Sequence, residues 1–185
     1  MTSRYRLDPG RSRFTVQAFA GGLLSFLGHS PVFAVRQFAG SVSFDDKGAD
    51  TVRAEITVRP DSLELTDAVS ASDRREIETT MRRDVLETAT FPEIVYRVTD
   101  AAAETISPGR YRLRLGGPLD LHGVRHPQRV DAELTVYPDG IALKGGCSLR
   151  LSDYRIRPVT ALGGTIKLKD EVRLAFDVIG LPEVP

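Results

Sequence analysis

The chain contains one cysteine, Cys147, no tryptophan and three histidines, His29, His122 and His126. A single thiol excludes an intrachain disulfide and any Cys-x-x-Cys redox or zinc motif. Lys+Arg and Asp+Glu are equal at 25 each and interspersed along the chain. That balance lacks the basic excess or stripe by which a nucleic-acid binder is recognised. No stretch approaches the ~18 apolar residues of a membrane helix. The opening MTSRYRLDPGRSRF lacks the apolar run of ~7–15 residues that follows the charged start of a signal peptide, because Asp8, Pro9 and Gly10 interrupt it. The expected location is therefore cytoplasmic. Phosphate-cradling glycine loops and a Gly-x-Ser-x-Gly elbow are also missing. The Gly-Gly pairs at 21–22, 116–117, 145–146 and 163–164 read as bends and bulges of a curved sheet.

What is present is alternation. In a chain of 185 residues, 41% hydrophobic, the composition fits one globular domain over residues 1–185. Val52, Ala54, Ile56 and Val58 alternate with Arg53, Glu55, Thr57 and Arg59. Successive strand side chains point to opposite faces, so one face is dry and the other wet. The pattern returns at Ile94, Tyr96 and Val98, at Tyr111, Leu113 and Leu115, at Val130 to Val136, and at Val172 to Val178. Turn signals separate these runs: DDKGAD at 45–50, SPG at 107–109 and YPDG at 137–140. Such short links favour antiparallel neighbours. About eight or nine strands are expected.

One segment departs from this. Ser70–Glu87 has little alternation, and Ile77 and Met81 lie four apart on one helical face. Ser72 or Asp73 is the expected cap, and Thr90–Pro92 leads into the next strand. The chain is thus all-β with one helical excursion near residues 70–88. With one dry face per strand and little helix to cover it, the sheet must close into a barrel or fold into a sandwich. Periodicity leaves both open.

A series of motifs then narrows the choice. YRLDPGRSRFTV (5–16), FAGSVSFD (38–45), ATFPEIVYRV (89–98), GGPLDLHGVRHPQRVDAEL (116–134), LSDYRIRP (151–158) and KDEVRLAFDV (169–178) together resemble the YceI-like family, in the family's order and over nearly the whole chain. The resemblance implies a lipocalin-like antiparallel β-barrel of about eight strands. It implies an interior that holds a long apolar lipid (a polyisoprenoid, a quinone tail or a fatty acyl chain), for transport or storage without chemical change, and a possible homodimer. The LGHSP at 27–31 departs from the family's usual approach to the second strand and points to a subgroup whose ligand differs.

The inward register names the candidate wall: Phe14, Phe38, Phe44, Ile56, Ile94, Tyr96, Leu113, Leu119, Leu134, Leu143 and Phe176. Phe26 belongs to a candidate mouth over Leu23–Phe33. Phe19 and Phe91 join the scattered aromatics of the dry face. From periodicity alone these residues equally describe a packed core; the resemblance favours a cavity. Tyr96 adds a hydroxyl that could reach a head group. The rival from another class is a metal- or haem-dependent enzyme using His29, His122 and His126. A metal site needs three or four ligands with supporting partners, and in HGVRHP Gly123 and Pro127 read as turn residues with both histidines facing solvent. Cys147 shares the apolar register of Leu143 and Leu149 and reads as a small buried hydrophobe. No catalytic residue and no cofactor is assigned.

Overall fold

The computed structural model describes residues 2–21, 30–45, 48–157, 160–161 and 166–183. The strands are β1 (Thr2–Gly21), β2 (Val32–Val35), β3 (Phe38–Asp45), β4 (Gly48–Val58), β5 (Leu63–Leu65), β6 (Ile94–Val98), β7 (Asp100–Ser107), β8 (Arg110–Leu121), β9 (Val124–Tyr137), β10 (Gly140–Arg150), β11 (Thr160–Ala161) and β12 (Ile166–Pro182). A helix, α1 (Ala71–Thr80), lies between β5 and β6. The ring β1–β3–β4–β6–β8–β9–β10–β12 is closed where β12 pairs with β1, giving an eight-stranded antiparallel barrel. The sandwich alternative is thereby excluded. β2 and β5 extend the wall beyond β1, β7 lies on β8, and β11 lies on β12.

Period-two patterning produces this closure. Val52 and Val58 of β4 are buried while Arg53 and Glu55 are exposed. Cross-strand rows carry the apolar face around the ring: Leu143 stands opposite Leu134 on one side and Val178 on the other. β8 changes partner along its length, pairing with β7 up to Gly116 and with β6 at Leu119 and Asp120. Gly117 sits at that change, where a Cβ would overlap the Arg97 carbonyl oxygen. The pair at 145–146 differs from the expected bulge, because both residues lie in uninterrupted register with β9 and β12. There the small residues permit close approach of strands instead of a bend.

The helical excursion is an α-helix that continues as one π-helical turn over Met81–Val85. Its cap is Ser70, whose hydroxyl accepts from the Asp73 amide at 3.1 Å, and not Ser72 or Asp73. The expected apolar face is present: Met81 is buried and Ile77 packs against the same core. The opposite duty of this helix was not legible. Arg74 donates to the carbonyls of Leu65 and Asp67, Glu78 accepts from the Leu65 amide at 3.0 Å, and Arg82 donates to the Leu63 carbonyl at 3.2 Å. Three side chains at four-residue spacing thus occupy the free edge of β5, which would otherwise present unpaired backbone groups to another chain.

Candidate functional site

The inward face divides into three levels. At one end the barrel is filled. Leu113 and Leu134 are 0% exposed and Ile141 is 1% exposed, and Tyr5 stacks on Phe44 with ring centroids 5.5 Å apart. At the other end a second closed cluster joins Leu119, Leu121, Leu149, Leu151, Tyr154, Ile156 and Val172. Between them lies a belt of residues that face inward yet are only half-buried. Phe14 and Phe176 are strand partners there, with rings edge-on at 6.3 Å. Val16 pairs with Leu174, and Leu174 with Cys147. Ile56 pairs with Tyr96 across the belt's far wall. Val16, Leu86, Ile94 and Tyr96 touch both closed clusters. These side chains are less completely covered than those of the two clusters that pack against them, and a close-packed core leaves few such positions.

The candidate wall residues therefore separate. Phe14, Ile56, Ile94, Tyr96 and Phe176 stand in the belt, while Phe38, Leu113, Leu134 and Leu143 belong to the closed end. Leu119 is buried in the second cluster, and Phe44 is held by Tyr5. Phe26 and most of the 23–33 mouth lie outside the described residues; within that stretch Phe33 is buried against the core. Phe19 faces outward, with the Arg173 guanidinium 5.7 Å from its ring centroid. Val16, Cys147 and Leu174 join the belt without having been named for it. Their signal was in the sequence, because each continues an apolar register already recognised.

The belt carries few polar groups. The Tyr96 hydroxyl donates to the Gln128 carbonyl at 3.3 Å. Burial pushes the Tyr96 phenol up, with Cys147 and the Asp100 carboxylate adding to it. Burial likewise pushes the Cys147 thiol up to about 11, with Asp131 adding to it. Both groups are thus neutral at physiological pH. Beyond Asp131 and Gly146 the pairing of β9 with β10 ends, and the Gln128 amide spans the gap to the Ser148 carbonyl at 3.3 Å.

The histidines do not converge. His122 and Gly123 form the two-residue hairpin turn, with φ of 52° and 71°, the left-handed pair that such hairpins require. Contrary to expectation the His122 ring is not solvent-facing. It is 11% exposed and donates from Nε2 to Glu87 at 2.7 Å. Its Nδ1 lies 3.3 Å from the Tyr154 carbonyl, and its ring packs 4.4 Å from that of Phe91. His126 is exposed, edge-on to Tyr154 at 5.8 Å. Pro127 is a strand residue paired with Pro118, not part of the turn. His29 lies outside the described residues. Among the described residues, no three of His, Cys, Asp or Glu gather as a metal site.

A separate concavity of about 670 Å³ lies on the outer wall between Arg4, Ser43, Arg53 and Arg97. Its lining mixes charged and small apolar side chains, and Arg97 within it is already paired with Glu55 at 2.8 Å.

With this barrel in view, comparison with known proteins gives one decisive match: the YceI-like domain, over residues 5–179. The chain belongs to the YceI-like family. Among solved structures, BcnA of Burkholderia cenocepacia superposes with a TM-score of 0.71 at 15% identity, covering 94% of this chain and 98% of that one. A polyisoprenoid binding domain from Saccharophagus degradans, implicated in plant cell wall breakdown, gives 0.68 at 14% identity, covering 97% and 98%. The Campylobacter jejuni YceI protein gives 0.60 at 16% identity, covering 82% and 84%. At these identities the solved structures establish the shared barrel. No curated protein matches by sequence. No helix among the described residues is long and apolar enough to cross a membrane.

Proposed function

We propose that this YceI-like barrel binds and carries a long apolar lipid, a polyisoprenoid or a prenylated molecule, without transforming it. The observation that carries the reading is the belt: Phe14, Val16, Ile56, Leu174 and Phe176 face the interior of a closed ring and remain accessible. Family membership and the polyisoprenoid binding neighbour support the same ligand class. Each methylene moved from water onto such a wall gains ~0.8 kcal/mol. A lipid drawn from a membrane gains far less, because it leaves an apolar phase. The protein then acts as a reservoir or shuttle with modest net preference. Native mass spectrometry of the undenatured protein, followed by organic extraction, tests this. A prenyl or acyl lipid in stoichiometric amount is the expected result. A bare chain that takes up neither a prenylquinone nor a prenol would overturn it.

A further inference from the structure

Granting that the belt is the lipid site, its polar chemistry restricts the head group. No charged side chain is buried among the described residues. The cross-strand row through Tyr96 runs Gly40, Ile56, Tyr96, Leu119 and His126, and the row through Cys147 runs Val16, Leu174 and Cys147. No Asp, Glu, Lys or Arg stands on either inward row, and the one imidazole, His126, lies at the exposed end of its row. Ion pairs such as those of Arg97 with Glu55 and Asp120 stand on the outer wall. Among the described residues, a phosphate or carboxylate drawn into the belt would lose its water and meet no Lys or Arg, a loss that burial does not return.

One donor is poised there instead. The Tyr96 hydroxyl reaches the Gln128 carbonyl at 3.3 Å, long against the usual 2.7–2.8 Å of an O–H···O bond. A ligand oxygen at ordinary distance would compete well for this proton. The neighbouring Gln128 amide is already engaged, at 2.8 Å to the Arg129 carbonyl and 3.3 Å to Ser148. Burial keeps the Tyr96 phenol protonated, so the donor persists across the physiological range.

We propose that the barrel selects lipids whose head group is uncharged and accepts a hydrogen bond, such as a quinone or ester carbonyl, and that Tyr96 is the specificity-determining donor. The test uses the full chain, stripped of lipid, with four probes sharing one prenyl tail: a quinone, a prenol, the prenyl diphosphate and the plain hydrocarbon. Affinities are read by displacement of a fluorescent lipid. The quinone is expected to bind tightest and the diphosphate about tenfold or more weaker, as expected for a charge buried without a partner. Tyr96→Phe should lower quinone affinity about three- to tenfold, the size of one neutral hydrogen bond, while hydrocarbon affinity stays unchanged. A diphosphate that binds as tightly as the quinone overturns the head-group inference and leaves the carrier reading standing. Equal losses for quinone and hydrocarbon in Tyr96→Phe overturn the donor role. Failure of all four probes overturns the carrier reading, and this inference with it.

Discussion

His122 and His126 are four residues apart and have opposite roles. His122 occupies a left-handed turn position with φ of 52°, and its neighbour across the hydrogen bond, Glu87, is also left-handed at 44°. A third left-handed residue, Arg155, follows Tyr154, whose carbonyl lies beside His122 Nδ1. The imidazole thus ties the hairpin, the segment just after the π turn and the segment that closes the barrel end. His122→Gln keeps hydrogen-bonding atoms but misplaces them, and should cost about 1–2 kcal/mol, the worth of a charge-assisted hydrogen bond with some lost packing. His126→Gln should stay within ~0.5 kcal/mol, as exposed substitutions do. Denaturant unfolding of the two single variants checks the contrast; equal effects would contradict it. The sequence marked the turn correctly through Gly123. It held no sign of the distant Glu87 and Tyr154 partners, since a contact between residues 35 apart has no local pattern.

At the scale of elements, alternation made the strands readable because a barrel strand has one dry and one wet face. The same rule failed where an element meets something other than the core. The helix between β5 and β6 was visible as a break in alternation with Ile77 and Met81 on one face. Its second face, Arg74, Glu78 and Arg82, looked like ordinary solvated charge. In the structure it holds the backbone of β5, so these charges act as strand partners. Glu78→Ala should therefore leave the Leu65 amide without its acceptor and leave Arg82 without its 3.2 Å partner. Amide exchange at Leu65 should accelerate by more than at Leu134 in the closed core, because local opening of an edge costs less than global unfolding. The free edge should also raise self-association at high concentration. Uniform acceleration at both amides would mean that the helix supports only global stability. The expected Gly-Gly bulge at 145–146 failed for a similar reason. A glycine chosen for close strand approach and one chosen for a bend look alike until the partner strand is known.

For the whole molecule, the question left open by periodicity was whether the dry face fills the barrel or surrounds a space. Two populations of inward side chains occur, fully buried and half-buried. Leu113, Leu134 and Ile141 close one end, and the belt around Phe14, Leu174 and Tyr96 stays accessible. Alternation assigns a side chain to the interior but not to a height along the axis, so the two populations were inseparable in the sequence. Enlarging a side chain separates them experimentally. Leu134→Phe forces extra volume into a site that is 0% exposed, and overpacking of that kind costs about 1–3 kcal/mol. Leu174→Phe places its ring in the belt, between Val16 and Cys147. There it fills space and gains apolar burial, so the lipid-free protein should keep or raise its melting temperature. Lipid competes for the same volume, so the stabilisation that saturating ligand gives the wild type, ~2.7 kcal/mol at a hundredfold excess over Kd, should shrink or vanish in Leu174→Phe. Melts of both variants with and without a prenylquinone decide the matter. If Leu174→Phe lowers the melting temperature as far as Leu134→Phe does, the belt is packed like the rest of the core and the interior has no room for cargo.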